Sequence, residues 1–328
     1  MNRALLLLRR RLVGSVFVLA LVIVGTFLLL EAAPGDAVDA YIASTGGDAG
    51  MVETLRQRWG LDQSALTRLA SYVWVLAHFD LGRSVAFSRP ILDVILERLP
   101  NTLLLMGSAT ALSFALGSLL GIVAGARPGS FRDRLLSIGS LALYAVPSFW
   151  FGLVLIVVFA VDLRWLPVGG IETIASGRTG LSRAADIAVH LVLPVTALGL
   201  IYLALYLRMM RAGMAEIWRL DFILAARARG LPRQRIVLAH VARNALLPLV
   251  TMLGLQSAQM LGGSVVIESV FAVPGLGRLA QEAVSARDTP LLMGIILTSA
   301  VLVVLINLAV DIAYAFLDPR VGASEAAA

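Results

Sequence analysis

Long apolar stretches alternate along this chain with shorter polar ones that carry arginine. Six of the apolar stretches, near residues 12–30, 102–126, 135–161, 188–207, 245–267 and 291–316, are long enough to cross a bilayer as helices. A helix rises about 1.5 Å per residue, so roughly 20 apolar residues cover about 30 Å of hydrocarbon. Arg9, Arg10 and Arg11 before the first stretch give it the look of a secretory signal. It is longer than the roughly 7–15 apolar residues of such a signal, and it reads as a span. In the second stretch Gly117, Gly121 and Gly125 form overlapping G-x-x-x-G units, which let helix backbones pack closely. Pro147 and Pro194 are expected to interrupt the third and fourth spans, as breaks that line a cavity or as packing kinks.

The polar segments have patterns of their own. Between Pro34 and Leu99, Leu66, Leu69, Val73 and Leu76 recur at helical spacing, and Val52, Leu55 and Trp59 nearly so, which predicts short amphipathic helices. The segments 162–187 and 269–290 carry Pro167, Gly169, Gly170, Pro274, Gly275 and Gly277 and read as turns and loops. The expected fold is all-α: a polytopic membrane protein with about six transmembrane helices, short external amphipathic helices and a cytoplasmic helix in the link after the fourth span. Its parts are an amino-terminal tail (1–11), a transmembrane domain (12–316, with an external segment 32–101 and a cytoplasmic link 208–244) and a carboxy-terminal tail (317–328).

Composition agrees with that solvent: 59% of the 328 residues are hydrophobic and 15% charged, with a mean hydropathy of +0.88. All 27 basic residues are Arg, and without Lys the usual phosphate-cradling G-x-x-x-x-G-K-[ST] loop cannot be built. The chain has no Cys, which excludes disulfides and thiolate metal sites, and its three His are too few and too scattered for a metal centre. The side bearing both termini holds 16 Arg against five acids, and the segments 32–101, 162–187 and 269–290 on the other side hold eleven Arg against thirteen acids. The positive-inside bias therefore predicts a multi-pass protein with both termini cytoplasmic. The Arg excess beside apolar spans speaks for contact with membrane lipids and against nucleic acid.

The link after the fourth span holds most of the functional information. Helix formers run from Trp218 to Arg229, Gly230 and Pro232 stop them, and a second helix is expected from Arg233. Ala225, Ala226 and Gly230 match the alanine, alanine and glycine of the EAA loop of ABC importer permeases, although Leu224 stands at its acidic position. The sequences Ala226-Arg-Ala-Arg-Gly230, Arg243-Asn-Ala-Leu-Leu-Pro248, Gly262 to Gly277, Arg287-Asp-Thr-Pro290, Asp80-Leu-Gly82 and Arg98-Leu-Pro-Asn-Thr102 extend the likeness over nearly the whole chain, as do Ala33-Pro-Gly-Asp36, Gly60-Leu-Asp62 and Leu317-Asp-Pro-Arg320. The chain resembles the dipeptide, oligopeptide and nickel permease branch of that family.

The resemblance implies a non-catalytic permease subunit of a prokaryotic plasma (inner) membrane that binds no cofactor itself and whose cytoplasmic link carries a coupling helix. It implies a second homologous permease, an external substrate-binding protein, and two ATPase subunits that hold ATP and magnesium. It assigns ATPase docking to Ala225, Ala226, Arg227, Gly230, Leu231 and His240. Small side chains would let the short helix approach a groove, and Gly230 would permit a positive φ.

Gln256, Gln259 and Gly263, with Glu268 at the outer end of span five, are candidates for the translocation path, or else for contact with the partner permease. Asn307 and Asp311 share a helix face in span six as a gate or a packing contact. Di- or oligopeptides are the expected cargo, with nickel complexes, glutathione or sugars as alternatives. A self-sufficient secondary transporter would call for coupling-ion groups at mid-membrane and an internal repeat, and an intramembrane hydrolase for a nucleophile and base within the spans. Neither pattern is evident.

Overall fold

The computed structural model describes residues 2–32, 63–78 and 80–317. The sequence features at Ala33–Asp62 and beyond Leu317, and the side chain of Asp311, lie outside the described residues. In chain order the helices are α1 (Asn2–Glu31), α2 (Ala65–Ala77), α3 (Ile91–Gly125), α4 (Phe131–Ala145), α5 (Ser148–Asp162, its last seven residues a π turn), α6 (Gly180–Ile217), α7 (Asp221–Ala228), α8 (Arg233–Val270), α9 (Leu276–Ser285) and α10 (Thr289–Leu317). Among the described residues, α3, α6, α8 and the Thr289–Val310 part of α10 are long and apolar enough to cross a membrane. The α4–α5 pair makes a fifth span if taken together, and Gly14–Leu29 within α1 is a shorter apolar helix.

All six apolar stretches are thus helical, but their limits and continuity differ from expectation. Val146 takes an extended conformation (φ −86°, ψ 128°) before Pro147, as the ring of a following proline favours, and α4 and α5 diverge by 98°. Pro194 breaks nothing: it is buried inside an uninterrupted α6. The helix expected from Arg233 and the fifth span are one element, α8, with a π turn over Ile236–Ala242 and Pro248 inside it. The segment 269–290, read as loop, contains α9.

The chain forms two compact units, Met1–Pro100 with Gly275–Val304, and Asn101–Pro274 with Leu305–Ala328. In the first, Ile91, Val94 and Ile95 of α3 pack with Leu276, Leu279 and Ala283 of α9 and Leu291 and Ile295 of α10. Asp288, fully buried, organises this unit's polar contacts. It accepts bonds from the Leu291 amide at the start of α10 (3.1 Å), the Ser84 hydroxyl (2.5 Å) and the Ala86 amide (2.9 Å). The Arg287-Asp-Thr-Pro290 motif therefore starts α10 and holds the 80–90 loop at once.

In the second unit the glycines of α3 meet α6. A Cβ at Gly117 would lie 2.8 Å from Leu203 O, one at Gly121 2.5 Å from Met210 Cβ, and one at Gly125 2.8 Å from Met214 Cβ. The G-x-x-x-G stripe is a helix-packing surface, covered within this chain. Helix α4 has its polar side inward: Asp133 and Ser140 are buried, while Phe131, Leu135, Ile138, Leu141 and Tyr144 are exposed. That reversal suits a helix whose surroundings are lipid.

Candidate docking site and translocation face

Helix α7 and the turn after it are built by local chemistry. After Arg229, Gly230 takes φ +73°; its amide donates to Arg227 O (2.9 Å), and the Leu231 amide reaches back to Ala226 O (3.3 Å). These two bonds are the Schellman closure, and the left-handed residue they need is the glycine. Pro232 then precedes the first turn of α8. Ile223 and Ala226 face inward to a cluster with Tyr206, Met210 and Met214 of α6 and Ile236, Val237 and Val241 of α8.

This burial separates the two alanines. Ala226 is packed inside its own chain, on the side of α7 opposite to its exposed face. Leu224, Ala225 and Ala228 are exposed, share one side of α7 by their three- and four-residue spacing, and form a small, apolar surface. Leu231 is half-buried against the inner cluster. His240 is half-buried in the π turn of α8, where its carbonyl accepts from Asn244 Nδ2 (2.6 Å).

Several residues of the link site were not singled out in the sequence. Trp218, half-buried, donates its indole N–H to Gly125 O at 2.8 Å, and Arg233 donates to Ala126 O at 2.9 Å. The Arg227 and Arg233 guanidinium carbons lie 5.0 and 5.8 Å from the Trp218 ring centre. Nearby, Arg211 of α6 bonds Asp133 through Nε and, at 3.0 Å, through its second nitrogen, while Asp133 also accepts from the Gly129 amide (2.8 Å). The Asp133 amide donates to Ser130 Oγ (3.3 Å), a capping arrangement at the start of α4. The signal for Trp218 was an aromatic ring set among arginines; Asp133 gave one as an acid three residues after a serine.

The candidate path residues do not form one face. Gln259 is exposed, on the same side of α8 as Thr251, Leu255, Gly262 and Val266. Gln256 is half-buried, and its Oε1 is buried with no hydrogen-bond partner among the described residues. Gly263 faces α6, where a Cβ would lie 3.5 Å from Leu198 Cδ1 and from the Tyr202 hydroxyl. Glu268, near the end of α8, is fully buried and accepts from the Thr102 hydroxyl at 2.7 Å. The end of α8 depends on the same residue. Ala272 turns left-handed (φ +51°), and the Val273 amide returns to Glu268 O at 2.8 Å. In span six, Asn307 packs on α8: a Cβ at Gly254 would lie 2.9 Å from its Oδ1.

Residues 117–323 match the family model described as "Binding-protein-dependent transport system inner membrane component". The chain belongs to that family. Along its length this inner-membrane component is 38% identical over 317 residues to a putative peptide transport system permease protein of Brucella suis, covering 96% of this chain and 98% of the relative. It is 36% identical to the oligopeptide transport system permease protein AppB of Bacillus subtilis (95% and 98% covered). It is 37% identical to the di/tripeptide transport system permease protein DppB of Pseudomonas aeruginosa (90% and 92%). The fold is also that of a chain in an inward-facing structure of the MetNI methionine ABC transporter, with TM-score 0.55, 19% identity, and 69% of this chain and 97% of that one covered.

Proposed function

We propose that this permease is one half of the translocation path of an ATP-driven importer for di- or oligopeptides. The observation that carries the energy-coupling part is the exposed Leu224, Ala225 and Ala228 surface of α7, backed by a packed inner face and closed by Gly230. Such a surface suits insertion into a groove on an ATPase subunit. The peptide cargo is supported by the names of relatives that align with nearly the whole chain.

The chain itself performs no chemistry in this scheme and holds no cofactor. ATP and magnesium reside in two ATPase subunits, a binding protein delivers peptide from outside, and a second, homologous permease completes the path. ATP-driven closure of the ATPase pair moves the link and shifts the permease pair between outward and inward openings. Both termini and the 208–244 link face the cytoplasm, in keeping with the Arg asymmetry. Gln259, with Gly262 one turn and Thr251 two turns away on the same side, offers polar and small groups on an otherwise apolar span and lines the path. Glu268 and Asn307 serve packing.

Reconstitution in proteoliposomes with the cognate ATPase subunits and binding protein tests this reading. Labelled dipeptide should accumulate with ATP and should not accumulate with an ion gradient alone. Uptake by the isolated permease down an ion gradient would overturn it in favour of a secondary transporter.

A further inference from the structure

We propose that Trp218 is a positioning residue that ties the docking helix to the end of α3, so that the two move together. The proposal rests on the docking role given above to α7. A helix leaves its last carbonyls without intrahelical partners, and their partial negative charge favours a cation nearby. At the end of α3 those partners come from the link: the Trp218 indole N–H on Gly125 O and the Arg233 guanidinium on Ala126 O. The ring is also held from both arms of the link, by Arg227 of α7 and by Arg233 at the start of α8, each within the roughly 6 Å over which a cation is attracted to an indole face. Arg227 therefore connects α7 to Trp218, and Trp218 connects to α3. Close packing of Gly125 on Met214, four residues before Trp218, leaves little room for α3 to slide on α6 instead.

The structure thus assigns to Trp218 a task separate from docking. The outer surface of α7 receives the partner, and Trp218 passes the displacement to a long span. A helix cap alone would affect only how much folded protein is made. A transmitting residue sets how much transport each hydrolysed ATP yields.

The test measures labelled dipeptide taken up per ATP hydrolysed, in proteoliposomes holding the full complex and its binding protein. Trp218→Leu removes both the donor and the ring, Trp218→Phe keeps a ring without the N–H, and Arg233→Gln removes the shared cation. Uptake per ATP is expected to fall about tenfold for Trp218→Leu and by a smaller factor for the other two, with the ATPase subunits retained at the wild-type ratio. An unchanged ratio in all three would overturn the proposal, as would uptake and hydrolysis lost in strict proportion. If Trp218→Leu fails to assemble, the Phe and Gln variants decide. Failure of the docking reading looks different: Leu224→Glu would leave ATPase retention intact whatever the Trp218 variants do.

Discussion

A methyl group added at Gly121 would lie 2.5 Å from Met210 Cβ and 2.8 Å from Leu207 O, so a side chain there has to push two helices apart. Overpacking of this kind costs about 1–3 kcal/mol, and more where backbone is the obstacle. Gly121→Leu should therefore lower the thermal midpoint of the purified permease, and Gly121→Ala, which adds the Cβ alone, should lower it by less. A midpoint unchanged by Gly121→Leu would mean that α3 and α6 are not packed in this way. Glu268 poses a different question, because it is buried and bonded to Thr102. Glu268→Ala should cost about 1–3 kcal/mol as the loss of a buried hydrogen bond, and Glu268→Gln, which keeps an acceptor for the hydroxyl, should cost less. Uptake per folded molecule should stay at the wild-type level in both; selective loss of uptake at unchanged stability would return Glu268 to the path.

The helix, turn and helix of the link could be read from residues 218–235 because its cause is local: helix formers, then a glycine and a proline that stop them. Gly230 stands in open space, with nothing within 4 Å of a Cβ, so substitutions there test backbone conformation alone. Gly230→Val should cost about 1–2 kcal/mol of left-handed strain, and Gly230→Asn much less. Copurification of ATPase subunits should fall in the order Gly, Asn, Val; equal retention in all three would show that the closure at Gly230 does not matter to docking. Other features depend on neighbours distant in sequence and could not be read this way. Ala225 and Ala226 are chemically identical, and the packing of Ile223 against α6 and α8 decides which one turns inward. Pro147 and Pro194 look alike in sequence, yet one stands at a 98° break and the other in a continuous helix. Helix α9 was overlooked because Gly275 and Gly277 signal a turn, although Leu276, Leu279, Ala280 and Ala283 repeat at helical spacing.

For the whole molecule, the cytoplasmic orientation proposed from the arginine distribution can be measured, because the chain has no cysteine. A single cysteine at Ser285, which is exposed, should react with an impermeant thiol reagent in intact cells, and one at Ser130 should react only after permeabilisation. Labelling of Ser130 in intact cells would reverse the topology and place the link on the wrong side for ATP-driven coupling. The central claim, that α7 meets the ATPase through its Leu224, Ala225 and Ala228 side, is tested most directly by cross-linking. A cysteine at Ala225 and, separately, one at Ala226 would be treated with a short thiol-to-amine reagent in the assembled, transporting complex. The account predicts a covalent product with the ATPase subunit from the exposed Ala225→Cys and little or none from the buried Ala226→Cys; no product from Ala225→Cys in a complex that still transports would contradict it.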